Sequence, residues 1–230
     1  MQREIHRVEV RNGRSGSTHG YSFTGWEYQE GWLITFWLTG RDPVKTIWVE
    51  SPTTFYSVPR VEIGGQRVIE ISPEPIELTS EERDAIISMV WQWAILEPLT
   101  VAGTCMVESL ARALDTSNDD ILHMFRRALR DPSIQDDAVK TLEENGYKVR
   151  VFGSEGFSYR EWRRLVTMVR KDDPKSGHVV LVYENDEGVF DSDGVFKKVG
   201  DLLFSGTLGY DRGAVLIVEK DTAATHQHRS

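Results

Sequence analysis

The stretch Thr100-Val-Ala-Gly-Thr-Cys-Met-Val-Glu-Ser-Leu-Ala-Arg-Ala-Leu114 decides how the rest of the chain is read. It passes from a small-residue loop ending in Gly103-Thr104 into a helical pattern carried by Leu110 and Leu114. At the junction stands Cys105, the single cysteine among 230 residues. The pattern predicts a helix from Cys105 to about Leu114. A thiol at a helix N-terminus faces unpaired backbone N–H groups and the positive end of the helix dipole. Both favour the thiolate, which is the nucleophilic form of cysteine.

Working outward from Cys105, two later segments hold partners for a nucleophile. Gly177-His-Val-Val-Leu-Val-Tyr183 opens an apolar strand with a histidine, and Gly188-Val-Phe-Asp-Ser-Asp-Gly194 ends a strand in carboxylates. Cys, then His, then Asp, each at the edge of a regular element, is the order a cysteine nucleophile with a base and an orienting group requires. His178 is the candidate base. Asp191 and Asp193 share one face of an extended strand, because side chains alternate with a period of two. Either one can accept from His178 and fix its tautomer, and Asp191 is preferred. The plainer role for both is an Asp-Ser-Asp-Gly turn. Ser109 lies one turn beyond Cys105 on the same helix face, so it is a candidate lining or substrate-binding residue, with packing as its plainer role.

The chain falls into three parts. Residues 1–78 read as a β-rich module in which turns at Asn12-Gly13 and Gly64-Gly65 separate strand-like runs such as Trp32–Leu38, Thr46–Val49 and Arg67–Ile71. Trp26, Trp32, Trp37 and Trp48 lie here, either as a β core with buried indoles or as a surface that docks a protein partner. Ser72-Pro-Glu-Pro-Ile-Glu77 is the linker candidate. Residues 79–220 turn helical. Thr79-Ser-Glu-Glu82 is a capping box opening a helix that Pro98 ends. Ser117 or Asn118 caps the next helix after that of Cys105, and a further helix from Ser133 ends at Gly146. A strand follows at Tyr147–Phe152. Ser158-Tyr-Arg-Glu161 reads as another capping box, with a helix through Trp162, Leu165 and Val169. Strands then fall at 178–183, 187–192 and 214–219, the first two joined by the hairpin turn Asn185-Asp-Glu-Gly188. Residues 221–230 are a polar tail. Helices first and an antiparallel sheet last define an α+β class.

Composition narrows the function. A net charge of −9 argues against a broad basic surface, so nucleic acid is not an expected partner. The basic runs Arg126-Arg127 to Arg130 and Arg160 to Arg164 read as solvated, ion-paired faces. One cysteine excludes a disulfide framework and a Cys-rich metal site, and neither metal nor cofactor is expected. No secretory pattern is visible at Met1-Gln-Arg-Glu-Ile-His6, and no apolar run reaches the roughly 18 residues of a membrane span. A cytoplasmic location without membrane attachment is therefore expected.

Residues 99–219 resemble the papain-like cysteine peptidase superfamily, especially its compact bacterial C39-like branch. The resemblance rests on Cys105-x-x-x-Ser-Leu-x-x-x-Leu114, on Asp137-Ala-Val-Lys-Thr-Leu-Glu-Glu-Asn-Gly-Tyr-Lys-Val149, on the His178 strand and on the acidic strand. It implies a cysteine-dependent acyl transfer through a Cys105–His178–Asp191 triad (Asp193 the alternate) on a protein or peptide substrate. Such enzymes are peptidases or isopeptidases. Two departures stand out. The Gln that members carry about six residues before the Cys is Leu99 here, and the Gly that often follows the Cys is Met106. Members of the ovarian-tumour class carry an Asp three residues before the Cys, and here that position is Ala102. A catalytically inactive papain-like fold serving as a structural or protein-binding component is the alternative these departures favour.

Overall fold

The structure is a computed structural model. It describes residues 3–5, 14–18, 21–28, 31–38, 43–58, 60–64, 66–72, 74–96, 101–173 and 177–220. Asn12-Gly13, Gly65, Leu99 and the polar tail lie outside them. The chain divides into two compact units, Met1–Pro98 and Leu99–Ser230. The change was expected at residue 78, yet the first helix clusters with the β-rich unit.

In the first unit, β1 (Arg3–Ile5), β7 (Arg60–Gly64) and β8 (Gln66–Ile71) form a three-stranded sheet in the order β1-β8-β7. The strands β2 (Arg14–Thr18), β3 (Tyr21–Tyr28), β4 (Gly31–Leu38), β5 (Pro43–Ser51) and β6 (Thr54–Ser57) form an antiparallel meander in chain order. Register explains the core. Leu33 lies opposite Trp48, and Trp48 opposite Tyr56. Leu33, Trp48, Val58 and Ile71 pack as one cluster, so β8 shares its core with the larger sheet. Trp48 is fully buried, which gives that indole the core role rather than a docking one. The expected linker is instead pinned to β6, through Ser72 N to Ser57 O (2.8 Å) and Ile76 N to Phe55 O (2.7 Å). The helix α1 (Ser80–Val90) follows, with Thr79 and Glu82 making the expected reciprocal capping box. It continues as a π-helical turn, Trp91–Leu96.

The second unit begins with α2 (Val101–Ala113), α3 (Asn118–Ala128) and α4 (Gln135–Glu144). Ser117 caps α3 with Asp120 as its reciprocal partner. Gly146, at φ 81°, turns the chain out of α4 into the sheet. The sheet comprises β9 (Tyr147–Phe152), β10 (Arg164–Arg170), β11 (Gly177–Val182), β12 (Val189–Phe190) and β13 (Tyr210–Lys220). Its order is β12-β11-β10-β13-β9, and every pair is antiparallel. A short helix, α5 (Val199–Leu203), precedes β13. The α+β class read from the sequence is the class observed.

One expected element is of the wrong type. The helix expected through Trp162, Leu165 and Val169 is β10, the central strand of this sheet. Val166 and Met168 pack on one face with Val180, Val182, Phe196, Leu202 and Val215, and Leu165, Leu181 and Leu216 are buried as well. A strand covered on both faces shows a continuous apolar run, so the spacing Leu165–Val169 fits a helix and a strand equally. Among the described residues no helix is long and apolar enough to cross a membrane.

Candidate active site

The helix α2 lies against β11. Ser109 is fully buried and its hydroxyl donates to the Val179 carbonyl at 3.3 Å, fixing the helix to the strand one turn beyond Cys105. That pin brings the Cys105 sulfur to 2.9 Å from His178 Nδ1. His178 lies opposite Met168 on β10, and its ring is flanked by Phe196 and Tyr210 at 6.1 and 6.4 Å between centroids. Ser109 therefore holds together the two elements that carry Cys105 and His178.

The strand expected at 187–192 ends at Phe190, and Asp191–Gly194 is a turn with Gly194 at φ 68°. The two aspartates consequently do not share a strand face. They reach His178 from opposite sides of its ring. Asp191, 1% exposed at its side chain, places Oδ1 2.5 Å from Nε2. Its oxygens also accept from the backbone N–H groups of Asp193 (2.9 Å) and Phe196 (2.7 Å). Asp193 is exposed, with Oδ2 3.5 Å from Nδ1 and Oδ1 3.7 Å from the sulfur.

The buried carboxylate sets the tautomer. An ionised carboxylate only accepts, so a neutral His178 carries its proton on Nε2, facing Asp191. Nδ1 is then a lone pair aimed at the thiol. Ser192 was not read as a site residue, yet its hydroxyl donates to the Cys105 sulfur at 3.0 Å. In sequence it is only the middle residue of an acidic turn, and nothing local shows that it points inward.

Electrostatics oppose ionisation of the thiol. Burial pushes Cys105 from 9.0 up to about 11. The Ser192 hydroxyl and the Val179 backbone pull the other way, while Asp193 and Asp191 add repulsion. The helix terminus gives less help than expected, because α2 starts at Val101 and Cys105 is in its second turn. Only the N–H groups of the first turn are free in a helix, so the Cys105 N–H belongs to the helical ladder. Both Cys105 and His178 are buried, at 0% and 4% exposure.

The basic runs are largely engaged within the unit. Arg130 makes a forked pair with Glu144, and Arg163 bridges Asp115 and Glu184. Arg164 is fully buried against Asp186. Comparisons of the chain with known protein families, curated proteins and solved structures return no match. The findings thus define an α+β protein in which a cysteine, a histidine and aspartates lie close together, compatible with a catalytic triad.

Proposed function

We propose that the second unit is a papain-like, cysteine-dependent acyl-transfer enzyme, a peptidase or isopeptidase acting on a protein or peptide substrate. One observation carries the reading: His178 is engaged at both ring nitrogens, by the thiol at 2.9 Å and by a buried carboxylate at 2.5 Å. In this reading the Cys105 proton passes to Nδ1 and the sulfur attacks the substrate carbonyl. His178 then returns that proton to the leaving amine as the thioester forms. Water releases the acid and completes hydrolysis, whereas an amine acceptor makes the same chemistry a transfer. Asp191 holds the ring and balances the imidazolium. The β-rich first unit is proposed to dock a protein partner, and the cytoplasm is the proposed location.

A second reading has a specific observation behind it. A thiol with no exposed surface, held up at about 11, fits a papain-like fold used for binding rather than catalysis. Alkylation of Cys105 by iodoacetamide across pH, in the wild type and in His178→Ala, separates the two. Alkylation near neutrality that is faster in the wild type than in His178→Ala, because Nδ1 takes the thiol proton as the sulfur attacks, is the expected result. A slow reaction with the same pH profile in both proteins sinks the base role of His178 and leaves the binding role.

A further inference from the structure

We propose that Cys105, His178 and Asp193 form a three-ligand site for zinc(II), with the fourth coordination position open. Their donor atoms, Sγ, Nδ1 and a carboxylate oxygen, lie within 4.8 Å of one another. The separations are 2.9 Å from sulfur to Nδ1, 3.7 Å from sulfur to Asp193 Oδ1 and 3.5 Å from Nδ1 to Asp193 Oδ2. Zinc bonds of about 2.0–2.3 Å in tetrahedral geometry set such donors roughly 3.4–3.6 Å apart. Each Asp193 oxygen already stands near that span from one of the other two donors, Oδ1 from the sulfur and Oδ2 from Nδ1. The sulfur–Nδ1 separation opens by roughly 0.6 Å as the metal replaces the hydrogen between sulfur and nitrogen.

The surroundings are those of a metal-binding histidine. A ligating imidazole gives its far N–H to a carboxylate, which fixes the tautomer and raises ring basicity. His178 does so to Asp191, and Asp191 is in turn held by two backbone N–H groups. The lone pair on Nδ1 therefore faces the site before any metal arrives. Thiolate, imidazole and carboxylate together form a donor set suited to zinc. Asp193 is exposed while the other two ligands are buried, so the carboxylate stands at the entrance. On binding, the Cys105 thiol releases its proton to solvent and His178 keeps its own on Nε2, so the charge balances without a further reactant.

The proposal is independent of the acyl-transfer reading. Cobalt(II) serves as the probe, because a cobalt–thiolate bond gives a near-ultraviolet charge-transfer band. The full chain is titrated with cobalt, and zinc is then added to displace it. The expected result is one equivalent of cobalt with that band, full displacement by zinc, and loss of the band in Cys105→Ser with its far-ultraviolet circular dichroism intact. Asp193→Asn, which alters an exposed side chain, weakens zinc at least tenfold. Asp191→Asn weakens it about 10–100-fold through the supporting hydrogen bond. A wild type without the band at saturating cobalt overturns the site, as does a zinc affinity that Asp193→Asn leaves unchanged. Alkylation measured in chelator tests the acyl-transfer reading alone, so either proposal can fail while the other stands.

Discussion

Two turns bracket the short strand β12, and each delivers an aspartate to a buried nitrogen base. Glu184–Asp186 leads in, and Asp186 meets the guanidinium of Arg164, whose side chain is 0% exposed. Arg164 also donates to the Phe157 carbonyl at 2.5 Å, and Arg160 reaches the other Asp186 oxygen at 3.0 Å. Asp191–Gly194 leads out, and Asp191 meets His178. The local architecture is similar: a tight turn, a carboxylate and a buried partner. The difference lies in the partner. Arginine keeps its proton at any working pH, so the first pair is an anchor. Histidine exchanges protons near neutrality, so the second arrangement can do chemistry. Burial beside a carboxylate is thus no sign of function until the partner's protonation range is considered.

The anchor should yield the largest effect. Asp186→Ala leaves the Arg164 guanidinium buried with no carboxylate, and removing one partner of a buried pair costs about 3–5 kcal/mol. Urea unfolding should show that loss. Pairing Asp186→Ala with Arg164→Met should recover most of it, because the cost lies in the uncompensated charge. A double variant as unstable as the single one would show that the turn needs the arginine for its shape.

Asp191→Asn comes next. The amide sets an N–H group against one of three donors that now point at carboxylate oxygens, and an unsatisfied buried group costs about 1–3 kcal/mol. The same change should slow Cys105 alkylation near neutrality, since the ring is no longer held with its lone pair toward the sulfur. Normal alkylation with only the stability loss would reduce Asp191 to the same anchoring role as Asp186.

The thiol gives a pH signature of its own. Its folded value of about 11 exceeds the ordinary 9.0, so the unfolded chain releases this proton first as pH rises. The stabilisation is complete below pH 9 and fades between 9 and 11, in total roughly 3 kcal/mol. Unfolding of wild type against Cys105→Ser should therefore converge across that window. Parallel curves would mean that folding does not raise the thiol value.

How legible all this was in the sequence depends on how local each cause is. The capping box at Thr79 and the cap read as Ser117 or Asn118 each span only four residues, and so both were legible. Cys105, His178 and Asp191 were legible as chemistry-bearing residue types beside expected elements, and they meet because α2 lies against β11 and the turn after β12 reaches the imidazole. What failed was set by distant neighbours. The identity of β10 depends on β11 and β13 pairing with it on either side, and a continuous apolar run does not announce that. The extra turn before Cys105 comes from Val101–Thr104, whose Gly103 reads as loop. Ser192 acts through a turn whose fold over α2 no local rule reveals.

The smallest effect is the most discriminating between the two aspartates that share this turn. Asp193 is exposed, so Asp193→Asn should change stability by no more than about 0.5 kcal/mol. Its carboxylate oxygen nevertheless lies 3.7 Å from the sulfur and raises the thiol value. A unit charge at that range is worth about 1 kcal/mol even with water-like screening. Removing it should make alkylation at alkaline pH roughly fivefold faster, where Asp191→Asn makes alkylation slower. Opposite signs from two carboxylates two residues apart would separate the group that orients the base from the group that only repels the thiolate. Equal signs would mean that both act on His178 and that the exposed aspartate shares the orienting role.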